Sequence, residues 1–303
     1  MGMGNMGSMN MGKGNMGSMR KDQQHGHKGK EKGHMGMMQD FKQAARMMGM
    51  GMGMMGMGMG MGTTPHIPDK NPAKYTRSLG HNIVTSLVTQ TTTALTVLTG
   101  QHNDSDTDFI AIVSFLYFGT TGTITCADSL GNSYNPVATV TFNTDYTVKV
   151  FYVSGIHSIA KNAIITITHP ASTRRILMAD EFKNVEKTNT ADQVATGHNT
   201  IAATFATSGM LPMTVQDKEL LYGVIAVNGS SIDTFKKPTN WTLLHDRGTN
   251  AGDGNDIRLI TQFRNVNSTG TFEVSGTLGT ASLWAGITQS FKAEGGASAV
   301  TPD

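Results

Sequence analysis

The chain of 303 residues has a single cysteine, Cys126, so it can build neither an intramolecular disulfide framework nor a cysteine-based zinc site. Charge is scarce. Asp, Glu, Lys and Arg make up 15% of the residues, which argues against charge-driven disorder and against a coiled coil. Apolar runs are short as well: the longest, such as 109–118, are about strand length and well under the roughly 18 residues of a membrane-crossing helix. No continuous apolar stretch of the secretory kind stands at the amino terminus, and no signal peptide is expected. Histidines at zinc-protease spacing, a G-x-S-x-G elbow, a P-loop and a dinucleotide fingerprint are all missing. No enzymatic activity and no cofactor are expected.

What is present is unevenly spread. Residues 1–62 hold 19 of the 22 methionines and 17 of the 36 glycines, with no proline before Pro65. They also hold eight basic and three acidic side chains, a balance of +5, which leaves −3 on the remainder. Glycine loses the most backbone entropy on ordering and methionine is flexible, so such a stretch cannot close a core of its own. A short segment, 39–48, reads as a helix. Three roles fit the Met-Gly tracts. Alternation within Met52 and Met54, and again within Met57, Met59 and Met61, places each group's thioethers on one side of an extended strand, where they could pack against a neighbouring subunit. Met-x-Met spacing near His25, His27 and His34 suits Cu(I), although glycine rather than a second ligand fills the gaps. The tracts could also be plain spacer.

From Ile83 onward the composition changes to alternating, β-branched runs bounded by Gly, Asn, Asp, Ser or Pro, the pattern of strands of 5–8 residues. The second half echoes the first. His81-Asn82-Ile83 matches His198-Asn199-Thr200-Ile201, Phe109 matches Leu220, 164–168 matches 271–274, and Phe182 matches Phe291. The expected organisation is an arm at 1–62, a linker at 63–80, a first β-sandwich unit at 81–182, a linker at 183–197, a second unit at 198–292 and a tail at 293–303.

Asp128-Ser129-Leu130-Gly131-Asn132-Ser133-Tyr134 resembles the "DS-x-GN-x-Y" turn-and-strand of tandem jelly-roll-like domains from phage virion appendage or decoration proteins and from bacterial surface proteins. The strands at 149–152, 163–168 and 179–182 fit the likeness, as do Asn240-Trp241 and 284–291, so that it covers roughly 95–292. The resemblance implies an all-β fold, a duplicated jelly-roll-like β-sandwich behind a Met/Gly-rich low-complexity arm. It brings no catalytic residues. The function it implies is that of a structural protein of a virion or extracellular assembly, with the arm docked on neighbouring subunits and the body displayed outside. Partners would be copies of the chain itself and a major structural protein of the same particle. Nucleic acid is not expected as a partner. A glycan-binding module for host surfaces and a copper-binding arm are the alternatives.

Other candidate chemistry is sparse. Asp104, Asp106 and Asp108 alternate before a strand and could contribute to a Ca²⁺ site, which needs about 6–8 oxygens; solvated strand entry is the plainer reading. The acidic loop 246–256 reads as a Gly-rich hairpin. Trp241, Trp284, Tyr134 and Phe291 could stack on sugars, but an apolar setting favours core packing. Cys126 reads as a small buried residue.

Overall fold

The computed structural model describes residues 72–98, 106–119, 122–229, 233–250, 252 and 254–297. The chain divides into two units at Gly62/Thr63, and every described residue belongs to the second. The five arm methionines, the 39–48 segment and Asp104 lie outside the described residues.

The described residues are all-β, with every ladder antiparallel. The first half supplies β1 (Lys74–Thr96), β2 (Phe109–Gly119), β3 (Thr125–Asp128), β4 (Asn135–Phe142), β5 (Tyr146–Ile156) and β6 (Ile164–Lys183). They form one sheet in the order β1-β6-β2-β5-β4, with β3 added to β6. The second half supplies β7 (Ala191–His198), β8 (Ala203–Thr207), β9 (Lys218–Asn228), β10 (Phe235–Lys236), β11 (Thr242–Gly248), β12 (Ile257–Asn267), β13 (Ser275–Ser282) and β14 (Trp284–Lys292). These make a five-stranded sheet, β11-β12-β9-β14-β7, and a three-stranded one, β10-β13-β8.

The same order occurs twice. In the first half β1 and β6 are long: 74–85 pairs with 174–183, and 90–96 pairs with 164–172, where β3 also joins. In the second half each long strand is replaced by two shorter ones, β7 and β8 for β1, β13 and β14 for β6.

The six-stranded and the five-stranded sheet face each other across a shared core, and each covers a smaller core on its other side. Ile110, Ile112, Leu116, Ile176 and Met178 meet Leu220, Tyr222, Val224, Leu259 and Ile287 in the shared layer. Ala111, Val113, Phe115 and Leu177 point the opposite way into the first-half core, and Leu221, Ile225 and Trp241 into the second-half core. That is why 109–118 is a continuous apolar run rather than an alternating one: both of its faces are buried. Each such aliphatic or aromatic side chain stabilises the stack by about 1.5–3 kcal/mol. Close layers also require Gly223, because a Cβ there would sit 2.3 Å from Val274 Cγ2 and 3.1 Å from the Trp241 ring.

Two pairings read from the sequence are off. Ile110 stands opposite Phe182 as Leu220 stands opposite Phe291, so the counterpart of Leu220 is Ile110, not Phe109. The register shift between Phe109 and Ile110 places its extra residue, Gly155, on β5, and a slip of one residue in the alignment exchanges the two faces of a strand. Likewise, the segment that takes the place of 164–168 is β13, which begins at Ser275, rather than 271–274. Strand β1 also starts at Lys74, inside the stretch expected to be linker, and β7 starts at Ala191, again inside an expected linker. Tyr75 anchors that early start: its ring lies 5.3 Å from Phe182 and 5.6 Å from Phe263.

Candidate functional site

The most elaborate side-chain assembly lies where the two halves meet. Strand β6 carries Asp180, fully buried in the shared layer. Its Oδ1 is 2.8 Å from His245 Nε2 on β11, and its Oδ2 accepts from the Tyr222 hydroxyl of β9 at 3.3 Å. Tyr222 in turn lies 3.0 Å from Ser114 Oγ on β2, and Ser78 Oγ of β1 lies 3.3 Å from the same His245 nitrogen. Burial, and then the Asp180 charge, push the Tyr222 and Tyr75 hydroxyls well above their ordinary range, so both stay protonated donors. Serine, histidine and aspartate thus meet, but both oxygens contact Nε2. A nucleophile relay needs the carboxylate on one ring nitrogen and the hydroxyl on the other. Here the imidazole clamps β1, β6 and β11 together. His81, whose ring is 6.3 Å from His245, is pushed down by burial and by the charges of Arg247 and His245.

Two further buried charges are closed off. Glu181 takes Arg77 Nε at 3.1 Å, Ser158 Oγ at 3.0 Å and the Ile159 amide at 2.7 Å, tying β1 and the β5–β6 loop to β6. Arg258 of β12 grips Asp246 of β11 with both Nε and Nη2 at 2.6 Å. In the adjoining β11–β12 loop, Asp256 accepts from Thr249 Oγ1 at 2.8 Å and from the Gly252 amide at 3.2 Å. Asp246 and Asp256 therefore order a hairpin.

The remaining sequence candidates scatter. Asp106 pairs with Lys183 Nζ at 3.1 Å, while Asp108 is buried and its carboxyl is pushed up by desolvation. Among the described residues no three His, Cys, Asp or Glu side chains group as metal ligands. Trp241, Trp284 and Phe291 are buried, and burial raises the half-buried Cys126 thiol. The 128–134 turn is held by one carboxylate: Asp128 Oδ1 accepts from the Leu130 and Asn132 amides at 3.0 Å, and Oδ2 from Asn132 Nδ2 at 2.8 Å and the Tyr134 hydroxyl at 3.1 Å. Gly131, at φ 81°, makes the reversal possible.

Sequence reasoning missed Glu219, the second residue of β9. It is 1% exposed, neither carboxyl oxygen has a hydrogen-bond partner within normal reach, and burial pushes it up to about 8, with the neighbouring Asp192 carboxylate acting in the same direction. A raised carboxyl pKa means the folded state holds a proton that the unfolded chain has already released near pH 4.5. Stability contributed by that proton is complete below pH 4.5 and is lost as pH rises towards 8. Glu219→Gln is expected to flatten this loss, raising stability at pH 9 by on the order of 1–3 kcal/mol and leaving it little changed at about pH 5. Urea unfolding of both proteins at the two pH values measures it, and parallel pH profiles would refute it.

The second half also presents an apolar surface. Ile201, Phe205, Met210, Met213 and Val215 are exposed around β8, which forms one edge of its three-stranded sheet. No family model, curated protein or solved structure matches the chain.

Proposed function

We propose that this protein is a structural component of a virion or comparable extracellular assembly, a duplicated jelly roll displayed outward and held by its Met/Gly-rich arm on neighbouring subunits. The observation that carries the reading is the strand order. Counted as two segments each, β1 and β6 bring each half to eight strand segments. In both halves the first pairs with the eighth, the eighth with the third and the third with the sixth. On the smaller layer the second pairs with the seventh, and the seventh with the fourth. This order resembles jelly-roll connectivity, except that the fifth segment lies beyond the sixth instead of beside the fourth. Jelly rolls recur in capsid and lectin domains, so the fold supports an assembly or surface role without fixing it. Exposed Phe205, Met210 and Met213 add a surface suited to packing against other chains.

Immunogold labelling of intact particles from the producing cell tests this reading. An antibody against the body should decorate the particle surface, and one against 1–62 should bind only after disruption. A body that cannot be labelled on intact particles, or a protein found only free, would exclude the displayed-body role.

A further inference from the structure

Two of the arginines that the fold encloses are closed off by carboxylates, whereas Arg175 is not. In Arg77 and Arg258 the Nε and Nη2 edge of the guanidinium, the edge that accepts a two-oxygen group, is filled by a carboxylate: Glu181 Oε1 and Oε2 at 3.1 and 3.4 Å, and Asp246 Oδ1 and Oδ2 at 2.6 Å each. Arg175 of β6 is fully buried as well. Its Nη1 donates to the Ser172 carbonyl and its Nη2 to the Gln90 side-chain oxygen at 2.7 Å, while its Nε has no partner. No carboxylate among the described residues pairs with it. Burial depresses its pKa and no neighbouring acid counters that effect.

Nearby, His169 Nδ1 lies 2.7 Å from the Pro170 carbonyl oxygen and its Nε2 lies 3.0 Å from Thr93 Oγ1. Its pKa is lowered by burial and by the Arg175 charge. Gln90, which covers the fork, is exposed. The β1–β6 register shifts beside it, Thr85 standing opposite Arg174 and Gln90 opposite Ser172. At the matching place in the second half stands Trp284, opposite Val227 as Arg175 is opposite Tyr117, so the strand order itself does not call for a cation there.

We propose that Arg175 anchors an oxyanion-binding site, in which a carboxylate, phosphate or sulfate group takes the Nε/Nη2 edge and displaces the exposed Gln90 amide beside the β1–β6 register shift. A guanidinium edge matches such groups with two parallel hydrogen bonds, and a buried charge is stable only when neutralised. The site is independent of the assembly role proposed above.

Thermal unfolding and calorimetric titration of the full chain with inorganic phosphate, sulfate and malonate, at constant ionic strength set with sodium chloride, test it. A saturable rise in melting temperature is expected for at least one probe, roughly 5–10 °C at a hundredfold excess over Kd. Preference for malonate points to a carboxylate ligand, and preference for phosphate or sulfate to a tetrahedral one. Arg175→Met should abolish the rise, and Arg175→Lys should retain only part of it, because lysine keeps the charge and loses the fork. Gln90→Ala, which leaves the guanidinium in place and removes its competitor, should tighten binding about two- to tenfold. A flat response of the native protein to all three probes overturns the proposal, as does an equal rise in Arg175→Met or weaker binding by Gln90→Ala.

Discussion

Asp180→Ala is expected to lower the stability of the body by about 2–5 kcal/mol, the cost of leaving buried hydrogen-bonding groups without their carboxylate partner. Among the described residues Asp180 is the carboxylate bonded to both His245 and Tyr222, and all three are buried between the two large sheets. Without it the imidazole and the phenol lose their acceptor, and the nearest replacement, Ser114, already serves the Tyr222 hydroxyl. Net stabilities run at about 5–15 kcal/mol, so the loss is a large fraction of the whole. Guanidinium unfolding of Asp180→Ala, His245→Ala and the double variant measures the pair directly. The double variant should cost clearly less than the sum of the singles. An Asp180→Ala loss under about 1 kcal/mol, or simple additivity, would show that the network does not hold the two halves together.

Deleting residues 1–62 is expected to abolish incorporation into the particle while leaving a folded body. Among the described residues, three apolar cores form between Ala73 and Ala293. The arm, in contrast, holds most of the methionine and a balance of +5 against −3 on the rest. Glycine spacing lets the backbone approach a partner closely while thioethers adapt to irregular pockets. The charge adds an attraction that weakens with salt over a Debye length of about 8–10 Å. Co-sedimentation of full-length and truncated protein with particles, at two salt concentrations, gives the result. Normal incorporation of the truncated chain would reduce the arm to a spacer. If the truncated chain instead kept a cell-surface target, the glycan-binding alternative would gain. A separate Cu(I) competition titration on the arm should show no tight stoichiometric binding, because glycine occupies the positions a second ligand would need.

Much of the architecture was legible because it is local. β-Branched runs between turn residues marked most strands, and the Asp128-to-Tyr134 motif announced a turn whose bonds span only two to six residues. The boundary of the arm followed from composition. The repeat was visible in outline, but its alignment was not: the register shift at Phe109 and the breaks that split β1 and β6 into separate strands in the second half leave no mark in the pattern of residue types. The early start of β1 at Lys74 was hidden for a similar reason. Lys74, Arg77 and Ser78 read as polar linker until Glu181 arrives to pair with Arg77 and His245 with Ser78.

The amino-acid sequence by itself therefore determined the β character, the compositional boundary near residue 62 and the turns, all of which rest on propensities acting over a few residues. Only the tertiary structure decided which sheets stack, which faces share a core and where charge is buried. Ser78 meets His245 across 167 positions, Ser114 meets Tyr222 across 108, and Gln90 meets Arg175 across 85. Nothing local distinguishes these residues from their solvated neighbours. Their partners and the unpartnered Nε of Arg175 arise when strands far apart in the chain exclude water between them, since desolvation makes an unpaired polar group costly only once the layers have closed.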